Sequence, residues 1–371
     1  MKDALAEKLL AHVLEWNAED VARERPILQA MAAFKYDGYE QFSPGMRFVE
    51  SLARWLSQFD KADRQIAYDF VKTRLVYCSP EEMTHLVETA YPDHIRPILL
   101  GQVAQEQSLN PHHLGTIADT AAFRIRQRQC LFLGLSDGAR IDSFRRANRE
   151  LDHEQIWQTH ELSEPRVNEL VDKLSVQVRK LRNDTDGTTI YRFRTIVLMD
   201  DFSASGSSYY MPKADGTVGG KIAKFFNNLF ESTSDIAKLV TPDDFEIIIL
   251  LYVATDKAIA HLEEYSQKLW GSRNVQCSVQ AIQHLPPEIT LARNSAEAFR
   301  GLIDKYYDHS IYDHHIEKGG SPDARFGYAD CGLPVVLHHN TPNNALALLW
   351  SYDDRSPRGL FPRVQRHKEL T

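Results

Sequence analysis

The sequence predicts an α/β fold in which a parallel sheet is preceded by an all-helical N-terminal region, and three observations predict it. Residues 195–199, TIVLM, form a short continuous apolar run rich in β-branched side chains, the composition of a strand buried on both faces. From Cys130 onward such runs alternate with amphipathic stretches, the pattern of strands joined by crossover helices. Before residue 118 apolar residues recur at helical spacing with almost no strand pattern. The expected division is a helical module over 1–118 and an α/β domain over 119–371.

In the helical region, Leu5, Leu9, Leu10, Val13 and Leu14 mark one apolar stripe, and Phe48, Leu52, Trp55, Leu56 and Phe59 another. Ser79, Pro80 and Glu82 place a cap, an N1 proline and an N3 acid ahead of a further helix. Cys130–Leu133 is the first core strand, followed by a loop through Arg140 and a polar helix from Asp142. Ser163 to Arg182 is an amphipathic crossover helix. After the run 195–199 and a small-residue turn, residues 209–220 separate that turn from the helical pattern KIAKFFNNLFE. Phe245 to Val253 and Val275 to Ile282 are further strands with a helix between them, and Ala296 to Tyr307 is helical. The segment 332–350 reads as a strand, a polar HNTPNN turn and a short apolar helix.

Composition narrows the function. The 371 residues, 43% hydrophobic and 25% charged, are those of a soluble globular protein with enough material for two domains. No apolar run approaches the roughly 18 residues of a membrane span, and the N-terminal stretch carries acids inside its apolar pattern, so a cytoplasmic protein with no membrane partner is expected. Cys78, Cys130, Cys277 and Cys331 are scattered, which excludes a disulfide framework or zinc knuckle. A net charge of −8 gives no general attraction to nucleic acid, although Arg124, Arg126 and Arg128 with Arg145, Arg146 and Arg149 leave local contact open. No GxSxG, HExxH, Walker A or GxGxxG pattern is present, which removes the commonest hydrolase, ATPase and dinucleotide readings.

Asp200 and Asp201 follow the apolar run directly and are expected at the carboxyl end of its strand, the edge where open α/β sheets bind ligands. Ser203, Ala204, Ser205, Gly206, Ser207 and Ser208 can turn backbone N–H groups and hydroxyls toward a phosphate. A solvated acidic turn on an ordinary buried strand is the plainer alternative.

Aligned by spacing, TIVLMDDFSASGSS resembles the PRPP-binding signature of type I phosphoribosyltransferases, with Ser205 and Ser208 standing where that family usually has threonines. The resemblance implies a type I phosphoribosyltransferase-like fold. Asp200 and Asp201 would hold the ribose hydroxyls as the catalytic acids, while Ser203 to Ser208 and the following helix start would cradle the 5′-phosphate. It also points to Ser136, Asp137, Gly138 and Arg140 as the pyrophosphate loop, although a simple strand-to-helix turn accounts for the same residues. Mg²⁺ would arrive with the substrate, with no dedicated protein metal site. Asn340 and Asn343 offer amides for a base pocket, or for a turn held by Asx hydrogen bonds. The insertion 209–220 departs from the family pattern and separates the helix start from the turn.

The HNTPNN turn, its Trp350-bearing helix and the segment Gly359 to Arg363 are similar to those of phosphoribosyltransferase-like domains in bacterial conflict (anti-phage) systems. This second resemblance spans roughly residues 120 to 367. It implies a defence effector or component that binds PRPP or a related nucleotide, with protein partners from the same defence operon. The alternative is a non-catalytic nucleotide-sensing or protein- and nucleic-acid-binding scaffold on the same fold, so an enzymatic role as a phosphoribosyltransferase stays open.

Overall fold

The computed structural model describes residues 3–231 and 234–364. Its strands are β1 (Val76–Cys78), β2 (Cys130–Gly134), β3 (Ile156–Trp157), β4 (Thr195–Ser203), β5 (Met211–Pro212), β6 (Val218–Gly219), β7 (Glu246–Thr255), β8 (Gln276–Leu285) and β9 (Val335–Leu337). The chain divides into two compact units, Met1–Met83 with Pro286–Thr371, and Thr84–Leu285. The expected boundary at residue 118 thus falls inside the second unit, and the C-terminal residues share a unit with the N-terminal helices.

The second unit is built on a five-stranded parallel sheet in the order β3-β2-β4-β7-β8. Continuous apolar runs suit strands covered on both faces, and Ile196, Val197, Leu198 and Met199 are all fully buried. Ile196 and Leu198 share a core with Leu131 and Leu133 of β2 and with the helices Glu164–Arg182, Lys221–Phe230 and Asp256–Gly271. On the opposite face Phe132 packs against Tyr91 and Phe144. After β2 the chain adds β3 on one side and then β4 on the other, so the order reverses between β2 and β4. In open sheets of this kind a ligand crevice forms outside the carboxyl ends of the two strands that flank the reversal.

The first unit is mainly helical. The helix Ala18–Phe34 begins at an Asn17 capping box, and Trp55, Phe59, Phe70 and Phe299 belong to a shared apolar core. It also contains a strand that helical spacing concealed: β1 pairs in parallel with β9 through Val76–Val335, Tyr77–Val336 and Cys78–Leu337. The strand expected within 332–350 therefore joins β1 and not the five-stranded sheet. Among the described residues no helix is long and apolar enough to cross a membrane.

Candidate functional site

The site begins where β4 outruns β2. Their ladder ends at Gly134 opposite Met199, with the Leu135 N–H donating to the Met199 carbonyl at 2.8 Å. On its other side β4 continues, pairing Asp200 with Leu251, Phe202 with Val253 and Ser203 with Ala254. The two acids therefore lie inside β4 and not just past it. Because β7 is long enough to carry the ladder onward, the acids are held in strand geometry yet stand beyond the end of β2.

Asp200 and Asp201 have different environments. Asp200 is 2% exposed and its carboxylate is saturated with donors. Oδ1 accepts from the Ser136 hydroxyl and, at 3.2 Å, from the Asp201 N–H. Oδ2 accepts from the Tyr209 hydroxyl at 2.9 Å and from Lys221 Nζ at 3.1 Å. Burial first, and the Asp201 charge second, hold the Asp200 carboxyl above its ordinary range, against the pull of Lys221 and Ser136. Tyr209, itself fully buried, has its hydroxyl pushed well above the usual phenol range by burial and by both acids. Asp201 is only half-buried and faces the loop after β2: a Cβ on Gly138 would lie 2.5 Å from Asp201 Oδ2. A glycine at 138 is what allows this approach.

That loop is itself tied down. Ser136 accepts the Gly138 N–H at 3.2 Å, its carbonyl takes the Ala139 N–H at 3.1 Å, and the Ala139 carbonyl accepts the buried Tyr252 hydroxyl at 2.7 Å. Arg140 follows with φ 48° and caps the helix Ile141–Ala147. The structure thus brings Ser136 and Gly138 directly onto the acidic pair.

The small-residue turn after β4 is held from behind. Its Ala204 carbonyl accepts from Thr255 Oγ1 at 2.6 Å, and Gly206, at φ 75°, packs so closely on His261 that a Cβ would lie 2.7 Å from that ring. Ser207 N–H reaches Ser205 Oγ at 3.4 Å, while the N–H groups of Ser205, Gly206 and Ser208 have no acceptor among the described residues. Residues 209–220 form a hairpin, with β5 and β6 pairing antiparallel and residues 212–217 exposed. Its two ends meet at Gly220, where a Cβ would lie 2.3 Å from the Tyr209 carbonyl. The helix start implied as part of the cradle offers no amide to it. The first N–H groups of Lys221–Phe230 are taken by the Ser208 and Tyr209 carbonyls, at 3.0 Å for Lys221 and 3.2 Å for Ile222, because the hairpin folds the chain back onto its own base.

Residues 52–363 match the PRTase-CE family. The chain belongs to that family. No curated protein and no solved structure gives a significant match. The phosphoribosyltransferase-like resemblance carried by the acidic strand is thereby borne out, and with it the α/β fold and helical N-terminal region.

Within this PRTase-CE chain, Asn340 and Asn343 belong to the first unit and are half-buried: Asn340 closes a tight turn by reciprocal backbone bonds with Leu337 at 3.2 and 3.0 Å, and the Asn343 carbonyl accepts the Tyr328 N–H at 2.7 Å. The arginines considered for nucleic acid divide: Arg124 is exposed, but Arg126 and Arg128, at 9% and 6% exposure, are buried against Glu106 and Gln177 and cannot reach a phosphate backbone. Among the described residues no three His, Cys, Asp or Glu side chains are grouped to hold a metal ion. Tyr209, Lys221 and Tyr252 escaped sequence reasoning. The only local signal was a cation placed directly after Gly220 at a helix start; the partnership with Asp200 depends on the hairpin folding back.

Proposed function

We propose that this PRTase-CE chain binds the ribose 5-phosphate part of PRPP or a related nucleotide at the carboxyl edge of β2 and β4. One observation carries the reading. The two segments flanking the strand-order reversal meet through Ser136 on Asp200 and Gly138 on Asp201, beside a turn whose Ser205, Gly206 and Ser208 amides have no acceptor among the described residues. Asp201, the half-exposed acid, takes the ribose hydroxyls. Ser205, Gly206 and Ser208 supply N–H donors to the 5′-phosphate, with Ser203, Ala204 and Ser207 shaping the turn. Asp200 holds the loop and the hairpin base in register. In a transfer reaction the ribose ring gains positive charge as the leaving group departs, and the paired carboxylates favour that charge distribution. With PRPP as substrate, Mg²⁺ comes with the diphosphate. The likeness of the HNTPNN and GLFPR segments to conflict-system domains supports a cytoplasmic role as a component of a bacterial anti-phage system, alongside proteins of the same operon.

Titration calorimetry of PRPP with Mg²⁺ tests the binding claim: Asp201→Asn is expected to bind at least about tenfold more weakly than the wild type, a loss of ~1.4 kcal/mol. Equal affinities reject the assignment. The saturation of Asp200 by protein donors favours a second reading, a non-catalytic nucleotide sensor. Release of pyrophosphate from PRPP with a nucleobase panel, lost in Asp201→Asn, would exclude it.

A further inference from the structure

We infer that the outer edge of β8 is an interaction surface for a second copy of this chain, the two β8 strands pairing antiparallel about a two-fold axis. The inference is independent of what the acidic site binds. Its basis is a difference between the two edges of one sheet. β3, at one edge, is two residues long, and its Ile156 carbonyl accepts from Arg145 Nη2 at 2.7 Å. A short strand covered by a cation is how sheets avoid adding a further strand. β8, at the other edge, runs for ten residues and keeps one register with β7 from Gln276 to Leu285, so no bulge turns it away. Its sequence, QCSVQAIQHL, has no Lys, Arg, Asp, Glu or Pro to guard it.

The backbone of that edge is open. The Glu246 N–H donates to the Arg194 carbonyl, so even-numbered residues of β7 bond to β4 and odd-numbered ones to β8. In parallel register the latter engage even-numbered residues of β8, which leaves the N–H and C=O groups of Cys277, Val279, Ala281 and Gln283 pointing out of the sheet. None of these groups has a partner among the described residues. The side chains of Cys277, Val279 and Ala281 pack on the core and fix the strand in place. A second β8 fits this edge because the edge is its own complement. Centred on Gln280, antiparallel pairing sets Val279 against the partner's Ala281 and Cys277 against the partner's Gln283, and every outward N–H then meets an outward carbonyl. No like charges face each other across the axis, since the strand carries no Lys, Arg, Asp or Glu. The assembly closes at two copies, because the remaining edge of each sheet is the guarded β3.

Sedimentation velocity of the full chain is expected to show a dimer. Ala281→Pro removes an outward N–H that the sheet itself does not use, and should raise the dimer dissociation constant at least about tenfold with an unchanged far-UV circular dichroism spectrum. In the expected register Gln280 faces its own copy as a non-hydrogen-bonded pair, whose α-carbons lie about 4.5 Å apart and within disulfide reach. Gln280→Cys should therefore form a disulfide-linked dimer under mild oxidation, whereas the wild type and Gln276→Cys should not. A wild-type chain that sediments as a monomer at every concentration overturns the inference, even if another protein binds to β8. A folded Ala281→Pro that dimerises as tightly as the wild type overturns it too. If that variant unfolds, the cross-link decides: a dimer in which Gln280→Cys forms no disulfide has its interface elsewhere, and the inference fails.

Discussion

Residues 339–344 and 200–208 are both polar segments that carry the family likeness, yet they use their polar atoms differently. In the first, Thr341 is fully buried, its hydroxyl donating to the Phe361 carbonyl at 2.8 Å and lying 3.0 Å from the Tyr39 hydroxyl. The Asn344 amide goes to the Tyr328 carbonyl at 3.1 Å. This turn fastens the GLFPR segment to the first unit's core. In the second, Asp200 is spent in the same constructive way, while the Ser205, Gly206 and Ser208 amides have no acceptor among the described residues. A polar motif builds where distant groups satisfy it, and it is available for binding where they do not.

The sharpest way to break that contrast is to remove the constructive acid from the binding segment. Asp200→Ala strips the acceptor shared by Ser136, Tyr209 and Lys221 and leaves the buried Tyr209 hydroxyl only the Phe202 carbonyl at 3.2 Å. A loss of about 3 kcal/mol in chemical denaturation is expected, because deleting one member of a buried ionic group is costly. A loss below about 1 kcal/mol would show that Asp200 does not build the site.

Acidity separates the two units next. In the first, burial alone would raise the Glu24 carboxyl, but hydrogen bonds from Lys72, Tyr68 and Arg23 outweigh it and hold the group down at about 2. Its contribution is present above the ordinary carboxyl value of 4.5 and is lost as pH falls from there toward 2. Asp200, raised in the folded state, has the opposite sign: it favours folding below its unfolded value of 3.8 and loses that contribution as pH rises through its folded value. Acid should therefore weaken the first unit through Glu24, by about 2 kcal/mol. Glu24→Gln should flatten urea midpoints over that acid range, and an unchanged slope would refute the assignment.

The smallest effect is expected at the C-terminal turn. Thr341→Val removes the buried hydroxyl that meets the Phe361 carbonyl and the Tyr39 hydroxyl, and should cost about 1 kcal/mol with no change in ligand affinity. A change in affinity would mean that this turn binds as well as builds.

The sequence showed the alternation of strands and helices, the central strand and the segment that carries the acids, because those depend on local apolar spacing. It did not show how far β4 extends, since that is set by the length of β7, a distant partner. β1 is three residues long between helical stripes, and only its ladder to β9 makes it a strand. The unequal roles of Asp200 and Asp201 were equally hidden. Adjacent acids look alike in sequence, and what divides them is the return of Tyr209 and Lys221 through the hairpin and the approach of Gly138 from the β2 loop.

Amide hydrogen exchange of the full chain with and without ribose 5-phosphate tests the central claim most directly. Ligand is expected to slow exchange at Ser205, Gly206 and Ser208, whose amides have no acceptor among the described residues, and to leave Thr341 and Asn344 unchanged. Bound ligand that leaves 205–208 exchanging at the same rate would contradict it.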